Sequence, residues 1–328
     1  MLRIVLIENS RQIYDGSSRN NPDLRGAELA IINYGEELVK KKFQVTVLNN
    51  CKKDIIINGV QYKNAYKIKS KLICDVAIAN SDANYFKYVE SKKNFLLSHS
   101  IQNFEKFVRN RQLIAFLKYK PTVLCFSRYQ YDKRNFLTSL FGKKIIIPSI
   151  DNDFFTFRLQ DKINKNAIFY SRFDRNGKYV IDIWKKIFPR LDNTTELYIN
   201  SEFSKINELD KYNIKKKTYM EKNKLIEFLS NFRILIIPGH KGEVFCNVAE
   251  EAKALCIPIV TMGIGALKER VINNHNGYVC NNFIDFEEKI LTLMNNDEIY
   301  LKFKKNLYND RGSNKWKDTV VKMIDLFD

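Results

Sequence analysis

Short apolar runs alternate with longer amphipathic stretches along most of the chain, and this alternation restricts the fold more than any other feature of the sequence. Runs rich in β-branched residues, such as 3–8, 43–49 and 74–80, are predicted strands, whereas 27–42 and 178–188 have the apolar spacing of helices. Strands that are apolar throughout are buried on both faces, as in parallel sheets covered by helices. The alternation therefore predicts an α/β protein built from βαβ units.

Chain length and one polar interval predict two domains. The 328 residues exceed one ordinary core and fit two domains of about 150 residues each. We predict a first domain over 1–150, a linker over 151–166 and a second domain over 167–328. Because ligands of open α/β sheets bind beyond the carboxyl ends of the strands, the cleft between the two domains is the expected site.

Targeting and redox signals favour a cytoplasmic protein. The opening residues, MLRIVLIENS, turn polar at Glu8, too early for a secretory signal peptide, so they are predicted as a first strand. No apolar run approaches the length that crosses a bilayer. The six cysteines show neither a CxxC pair nor zinc-finger spacing, which favours reduced thiols.

The formal net charge of +18 leaves three interpretations open. Nucleic acid, an anionic membrane surface and a lysine-rich composition without a dedicated partner all agree with it. A nucleic-acid-binding protein usually contains a recognisable module, and the sequence contains none, so no nucleic-acid partner is expected. An anionic membrane surface or substrate and simple solvation of exposed faces stay as alternatives.

The segment EVFCNVAEEAKALCIPIV, residues 243–260, has the pattern of a diphosphate site. A helix is predicted to begin near Cys246 or Asn247, directly after a buried strand and a loop. Such a helix N-terminus offers unpaired amides and a positive dipole end to an anion. Glu251 lies on the same helix face as Asn247 and can reach a hydroxyl group such as that of a ribose. Glu243 lies in the loop before the helix. Taken alone, Glu243 would also suit a helix-capping acid and Glu251 a solvated surface acid.

The same segment resembles the retaining GT-B glycosyltransferases of the group 1 family. Their pattern is Glu, any residue, Phe and a small residue, then a helix with Glu-Ala one turn in and a Pro-Val-type strand. The residues in register are Glu243, Phe245, Cys246, Glu251, Ala252, Ala254 and Pro258. Two positions depart from the pattern, because Glu250 replaces an aliphatic residue and Cys256 replaces a glycine. The run also looks like a bacterial subgroup associated with surface polysaccharide synthesis.

The resemblance implies roles for these positions. Glu243 would be catalytic and contact the sugar hydroxyls, and Glu251 would bind the ribose. The residues that follow Glu243, namely Phe245, Cys246 and Asn247, would offer backbone amides to the donor sugar and phosphate. His240, in the same loop, would neighbour the phosphate.

A second stretch, AIFYSRFDRNGKYVIDIW (167–184), resembles the first strand and helix of the family's donor domain. In the family an Arg and a Lys hold the diphosphate there and stabilise it as the leaving group, which implies Arg172 and Lys178 as catalytic residues. The usual Lys-Gly order is reversed at Lys178, and Arg175 is an alternative cation. A surface ion pair is the structural alternative for these side chains.

The amino-terminal half resembles the family's acceptor domain. Gly26 matches the end of a glycine-rich loop that closes over the donor phosphates, although Arg25 replaces its first glycine. His99 follows a predicted buried strand, where the family often places a His near the donor sugar or acceptor. The resemblance therefore implies a catalytic His99, and a structural histidine is the alternative. The Asp151-Asn152-Asp153 run reads as a D-x-D metal signature, but its position resembles the interdomain segment of GT-B enzymes, so no metal site is expected.

The resemblance as a whole implies two Rossmann-like domains whose parallel sheets face a central cleft. It also implies that the terminal helices of the second domain pack back toward the first. It implies a hexosyltransferase-type enzyme that moves a sugar from a nucleotide-diphosphate-sugar to an acceptor hydroxyl with retention of configuration. The expected role is cell-surface polysaccharide or glycolipid synthesis, on a sugar, lipid-linked or polysaccharide acceptor. The nucleotide-sugar would be a co-substrate, with no cofactor. The net charge of +18, taken with such an acceptor, favours a cytoplasmic protein that is peripheral on the inner face of the cytoplasmic membrane. A nucleotide-sugar epimerase or phosphorylase and a non-catalytic nucleotide-sugar-binding protein are the alternatives.

Overall fold

The computed structural model describes residues 1–8, 10–21, 23–160, 162–200, 208–218 and 220–328. The chain divides into two compact units. The first unit contains residues 1–149 and 314–328, and the second contains residues 150–313. The boundary lies at one end of the predicted linker, of which Asp161 lies outside the described residues. No helix in the described part of the chain is long and apolar enough to cross a membrane.

The strands form two sheets. The first unit contains β1 (Arg3–Ile7), β2 (Gln44–Asn49), β3 (Ile55–Ile57), β4 (Val60–Asn64), β5 (Leu72–Asn80), β6 (Val89–Leu97), β7 (Thr122–Cys125) and β8 (Lys143–Ile145). The second unit contains β9 (Asn166–Phe169), β10 (Leu197–Asn200), β11 (Ile214–Lys217), β12 (Phe232–Ile236), β13 (Ile259–Thr261) and β14 (Gly277–Val279).

Helices connect most of these strands. Their bounds are α1 (Gly26–Lys40), α2 (Phe104–Arg109), α3 (Leu113–Tyr119), α4 (Arg128–Lys133), α5 (Asn152–Thr156), α6 (Gly177–Ile187), α7 (Lys222–Leu229), α8 (Asn247–Ala254), α9 (Leu267–Arg270), α10 (Phe283–Asn295), α11 (Asp297–Asp310) and α12 (Trp316–Ile324). Helix α5 lies inside the predicted linker and belongs to the second unit, whereas α12 belongs to the first.

Both sheets are parallel, except for one edge pair. The first has the order β3-β4-β2-β1-β5-β6-β7-β8, and among the described strands only β3 and β4 pair antiparallel. The second has the order β11-β10-β9-β12-β13-β14, which is the doubly wound order of dinucleotide-binding folds. Strand order reverses between β1 and β5 in the first sheet and between β9 and β12 in the second. The prediction of an α/β chain with two mostly parallel sheets is confirmed.

The β3–β4 hairpin was not among the predicted strands. Asn58 and Gly59 form its two-residue turn, and both have positive φ angles, 50° and 79°. Such turns require positive φ at both central residues and favour the Asn-Gly dipeptide, which the sequence displays. The two strands were not predicted because they are short and are joined by a tight turn. The strand–helix alternation predicts only strands that are separated by helices.

The second unit's core shows why the alternation folds as it does. On α6, Val180, Ile181, Trp184 and Ile187 recur at helical spacing and are almost fully buried. They pack against Phe169 of β9 and the apolar strands beside it. The buried Trp184 indole also donates a hydrogen bond of 2.9 Å to the Tyr212 carbonyl. A Trp184→Ala change would cost about 3–5 kcal/mol of this unit's stability. This packing holds the loop between β9 and α6 at the strand reversal.

Candidate active site

The loops after β9 and β12 leave the second sheet where its strand order reverses. The first loop carries Arg175 and the second carries Glu243, and the Arg175 guanidinium forms an ion pair with the Glu243 carboxylate. Glu243 is buried and Arg175 is partly buried. Burial lowers the pKa of the Arg175 guanidinium. A strand reversal in an open α/β sheet is the ordinary place for a ligand.

Backbone contacts fix the Glu243 loop. The Glu243 amide donates to the His240 carbonyl, and the Glu243 carbonyl accepts from the Ala266 amide, both at 2.9 Å. The Asn176 side-chain amide, at the start of α6, donates to the Gly239 carbonyl at 2.7 Å. At Gly265, φ is +75° and a Cβ atom would lie 2.4 Å from the His240 carbonyl oxygen, so glycine is needed. The loop therefore presents Glu243 in a defined position.

Helix α8 begins at Asn247, as predicted. Cys246 precedes it with φ of 70°, and its carbonyl accepts from the Ala249 and Glu250 amides at 3.2 and 3.4 Å. Among the residues that the structure describes, the Asn247 and Val248 amides have no hydrogen-bond partner. An anion can bind to these two amides at the positive end of the helix dipole.

Glu251 lies in the second turn of α8 in an unusual electrostatic setting. Burial raises the pKa of its carboxyl to about 7, the Asp151 carboxylate adds to the rise, and the Lys217 ammonium opposes it. Lys217 is itself buried, with its Nζ 4.7 Å from the centre of the Tyr170 ring, and burial lowers its pKa. A carboxyl with a pKa near 7 is ready to ionise when hydroxyl donors approach it.

The other predicted cations of the second unit lie on its surface. Arg172 is exposed, and its guanidinium pairs with the Asp174 carboxylate. Lys178 is exposed in the first turn of α6. Arg175, the alternative in the sequence analysis, is the cation that the structure brings to Glu243.

The remaining predicted residues of this unit lie in the same loop. His240 is exposed, and its Nδ1 accepts from the Gly242 amide at 3.0 Å. The Phe245 ring is buried, with the Arg270 guanidinium 5.1 Å from its centre, so this side chain anchors the loop. The Asp151-Asn152-Asp153 run is held by lysine, because Lys222 Nζ lies 3.2 Å from Asp151 and 2.6 Å from Asp153.

In the first unit, one of the two predicted residues lies at the start of a helix and the other at the end of a strand. Gly26 is exposed and opens α1, just after Arg25, whose amide donates to the Glu28 carboxylate at 3.1 Å. His99 follows β6; burial lowers the pKa of its imidazole to about 4, so the ring is neutral at pH 7. Its Nε2 is buried and without a partner among the described residues.

Sequence reasoning missed Glu8, which directly follows β1 at the reversal of the first sheet. Its buried carboxylate accepts from the Tyr14 hydroxyl at 2.8 Å. Burial raises its pKa to about 7, and the Glu28 carboxylate contributes to the rise. Within the described residues, the side-chain oxygen of Asn80, at the end of β5, is buried and unpartnered. The sequence does show an acidic residue immediately after the first predicted strand. That position indicates a ligand site only when β1 is known to lie where the strand order reverses.

Comparison with known proteins identifies the second unit. Residues 155–310 match the family model described as "Glycosyl transferases group 1". This unit is a group 1 glycosyltransferase domain. The Arg175–Glu243 pair, the start of α8 and Glu251 all lie within the matched residues.

Two curated relatives share part of this group 1 domain. The chain is 35% identical over 79 residues to an uncharacterized glycosyltransferase, MJ1178, from Methanocaldococcus jannaschii, across 24% of this chain and 22% of that protein. It is 32% identical over 76 residues to the capsular polysaccharide biosynthesis glycosyltransferase CapM from Staphylococcus aureus, across 23% of this chain and 20% of that protein. The matched segments thus span about a fifth of each relative.

Solved structures show that the whole chain, with its group 1 domain, has the GT-B fold. Sucrose-phosphate synthase from Thermosynechococcus elongatus matches with a TM-score of 0.75 at 14% identity, over 100% of this chain and 98% of that one. Anabaena Alr3699/HepE in complex with UDP and glucose matches with a TM-score of 0.70 at 13% identity, over 99% of both chains.

Proposed function

We propose that this protein transfers a sugar from a nucleotide-diphosphate-sugar donor to an acceptor hydroxyl, with retention of configuration at the anomeric carbon. One observation supports the proposal above all. A buried carboxylate, Glu243, lies with the Arg175 cation at the strand reversal of a group 1 domain, just before the two free amides of α8. This arrangement suits a ligand that has hydroxyl groups at one end and a diphosphate at the other.

The donor's diphosphate would bind at the start of α8. The Asn247 and Val248 amides would donate to its oxygens, and Arg175 would exchange part of its contact with Glu243 for a phosphate oxygen. Arg172 and Lys178, both exposed and on the same loop and helix, would add positive charge. Fixed amides and cations stabilise the negative charge that develops on the leaving diphosphate, which is the main catalytic contribution expected here.

Glu243 and Glu251 would orient the two ends of the donor. Glu243 would accept hydrogen bonds from sugar hydroxyls and hold the anomeric carbon in a reactive position. Glu251 would accept hydrogen bonds from the ribose. Because the pKa of the Glu251 carboxyl is about 7, ribose binding would favour its ionised form and lower that pKa.

The acceptor would bind to the first unit, where His99 lies. The similarity to a capsular polysaccharide glycosyltransferase supports a role in cell-surface polysaccharide or glycolipid synthesis. The net charge of +18 suits a location at the inner face of the cytoplasmic membrane. Because HepE was solved with UDP and glucose, UDP-glucose is the first donor to test. The proposal includes no metal; loss of transfer on addition of a chelator would contradict that part.

Substitution of Glu243 tests the proposal. A panel of nucleotide sugars is first screened with simple glycoside acceptors to find the donor that reacts. The wild-type protein should form from that donor a product that keeps the donor's anomeric configuration, as determined by NMR. The Glu243→Ala variant should lose roughly 10²–10³-fold in rate or more while still binding the nucleoside diphosphate. Glu298→Ala, an exposed acid on α11, is the control and should keep full activity. Full activity of Glu243→Ala would overturn the assignment.

A further inference from the structure

Residues 104–144 of the first unit concentrate positive charge. This stretch contains ten lysines and arginines against two acids, Glu105 and Asp132, so its formal charge is 10 − 2 = +8. The whole chain has a formal charge of +18. One eighth of the residues therefore supplies almost half of the net charge.

Most of these cations are available at the surface. Eight of the ten are exposed. Arg128 pairs with Asp132, Lys144 lies in β8, and the other six are Lys106, Arg109, Arg111, Lys118, Lys120 and Lys133. None of the six forms an ion pair with a residue that the structure describes. By contrast, Arg134 of the same stretch is buried and hydrogen-bonds to Ser98 and Thr138, which gives it a structural role.

The same stretch exposes large apolar side chains. Six of the twenty strongly exposed large hydrophobic residues in the described part of the chain lie here: Val108, Ile114, Leu117, Phe136, Leu137 and Leu140. Ile114 is 81% exposed and Phe136 is 71% exposed. Exposed apolar side chains are ordinary when scattered singly, but a concentration of them indicates an interaction surface.

The exposed apolar side chains belong to neighbouring segments. Phe107 of α2 contacts Phe116 of α3 at 5.1 Å between ring centres, and Phe116 contacts Phe141 at 5.2 Å. Helix α2 also packs against the short helical turn at 136–139. The inner faces of these segments share one aromatic cluster. The six apolar and six basic side chains named above lie exposed on or directly beside these segments, with Lys133 at the end of α4, and we call this set the apolar–basic patch.

We propose that the apolar–basic patch docks the protein on an anionic lipid bilayer. Basic side chains are attracted by the negative charge of lipid headgroups, while apolar side chains between them enter the interface between headgroups and acyl chains. A second copy of this chain would bring two strongly positive surfaces together, which disfavours self-association. Nucleic acid would match the charge but would leave Ile114 and Phe136 without an apolar environment.

Vesicle binding tests the apolar part of the patch. Co-sedimentation with phosphatidylcholine vesicles, with and without phosphatidylglycerol, should show binding only when phosphatidylglycerol is present. The Ile114→Asp/Phe136→Asp variant should bind those vesicles about tenfold or more weakly. Ile56→Asp/Ile284→Asp is the matched control, since both residues are similarly exposed, at 69% and 72%, and lie outside the patch; it should bind as the wild type does.

A charge series tests the basic part. Lys106→Glu/Lys118→Glu should weaken binding strongly, because each positive charge near an anionic bilayer contributes about fivefold in affinity. Lys52→Glu/Lys302→Glu makes the same change at exposed lysines outside the patch and should lose much less.

Several outcomes would overturn the docking proposal. These are no binding to anionic vesicles, equal binding to neutral vesicles, or equal losses in patch and control variants. Dimerisation that the patch variants abolish would assign the surface to a second copy, and DNA binding that only the charge variants abolish would assign it to nucleic acid. The thermal shift produced by a nucleotide sugar should be unchanged in every patch variant, so a failure here leaves the proposed transfer reaction testable separately.

Discussion

The two units reverse their strand order in the same way, but the acidic side chain at each reversal has a different electrostatic environment. In the second unit, Glu243 is paired with the Arg175 cation, and free amides lie at the start of the next helix. In the first unit, Glu8 is paired with a neutral hydroxyl, and a second acid, Glu28, raises its pKa further. The fold thus gives each unit a ligand position, and the side chains decide which charge can bind there. An anionic diphosphate suits the second unit, and a hydroxyl-bearing acceptor suits the first.

Removing Arg175 would make the second site resemble the first, and we expect the largest effect there. In Arg175→Ala, Glu243 stays buried without its cation, so a nucleoside diphosphate meets an uncompensated carboxylate. Affinity for the diphosphate should fall roughly 10–100-fold, measured by titration calorimetry. Arg172→Ala is the matched control: its side chain is exposed and pairs with Asp174, so its loss should cost about threefold or less. A larger loss in Arg172→Ala would move the phosphate contact to that residue.

Glu251 gives a prediction about pH. Ribose hydroxyls bind better to an ionised carboxylate, and the pKa of the free Glu251 carboxyl is about 7. Nucleotide affinity of the wild type should therefore rise as the pH is raised through 7, by about threefold to tenfold. The Glu251→Gln variant should bind about tenfold more weakly above that pH and lack this pH dependence.

A 2′-deoxyribonucleoside diphosphate is the ligand control for Glu251. The wild type should bind it more weakly than the ribonucleoside diphosphate, and Glu251→Gln should hardly distinguish the two. Unchanged discrimination in the variant would place the ribose elsewhere.

Glu8 gives a prediction about stability that leaves ligand binding aside. Its folded pKa of about 7 exceeds its ordinary value of 4.5, so the folded state holds a proton that the unfolded state has lost between these pH values. Stability from this group is therefore present at low pH and falls as the pH rises from about 4.5 to about 7. Glu8→Gln, which cannot ionise, should gain about 2 kcal/mol relative to the wild type between pH 5 and pH 8.

Thermal melts at the two pH values would measure the Glu8 effect. Glu105→Gln, an exposed acid on α2, is the control and should show no such gain. A constant difference between Glu8→Gln and the wild type at both pH values would contradict the assigned pKa.

The sequence predicted those parts of the molecule that depend on local pattern. The apolar runs gave the two sheets, and the start of α8 at Asn247 followed from the order of strand, loop and helix. The spacing from Glu243 to Glu251 lies within one such unit and could be read directly. The β3–β4 hairpin also had a local signal, the Asn-Gly turn, which was overlooked.

The rest depended on strand order and loop geometry, which the sequence does not display. Glu8 gains a role only when β1 and β5 are known to be the strands of the reversal. Arg172 and Arg175 are three residues apart in an irregular loop, so spacing alone could not tell which one meets Glu243. Strand and helix periodicity applies to neither position.

The central claim is that the second unit binds a nucleotide sugar with Glu243 on the sugar and α8 on the diphosphate. Titration calorimetry that compares a nucleotide sugar with its free nucleoside diphosphate, in the wild type and in Glu243→Ala, tests it most directly. The account predicts that the wild type binds the two ligands with different affinities and that Glu243→Ala keeps the affinity for the diphosphate but loses that difference. If Glu243→Ala distinguishes the two ligands as the wild type does, or the wild type binds neither, the account is wrong.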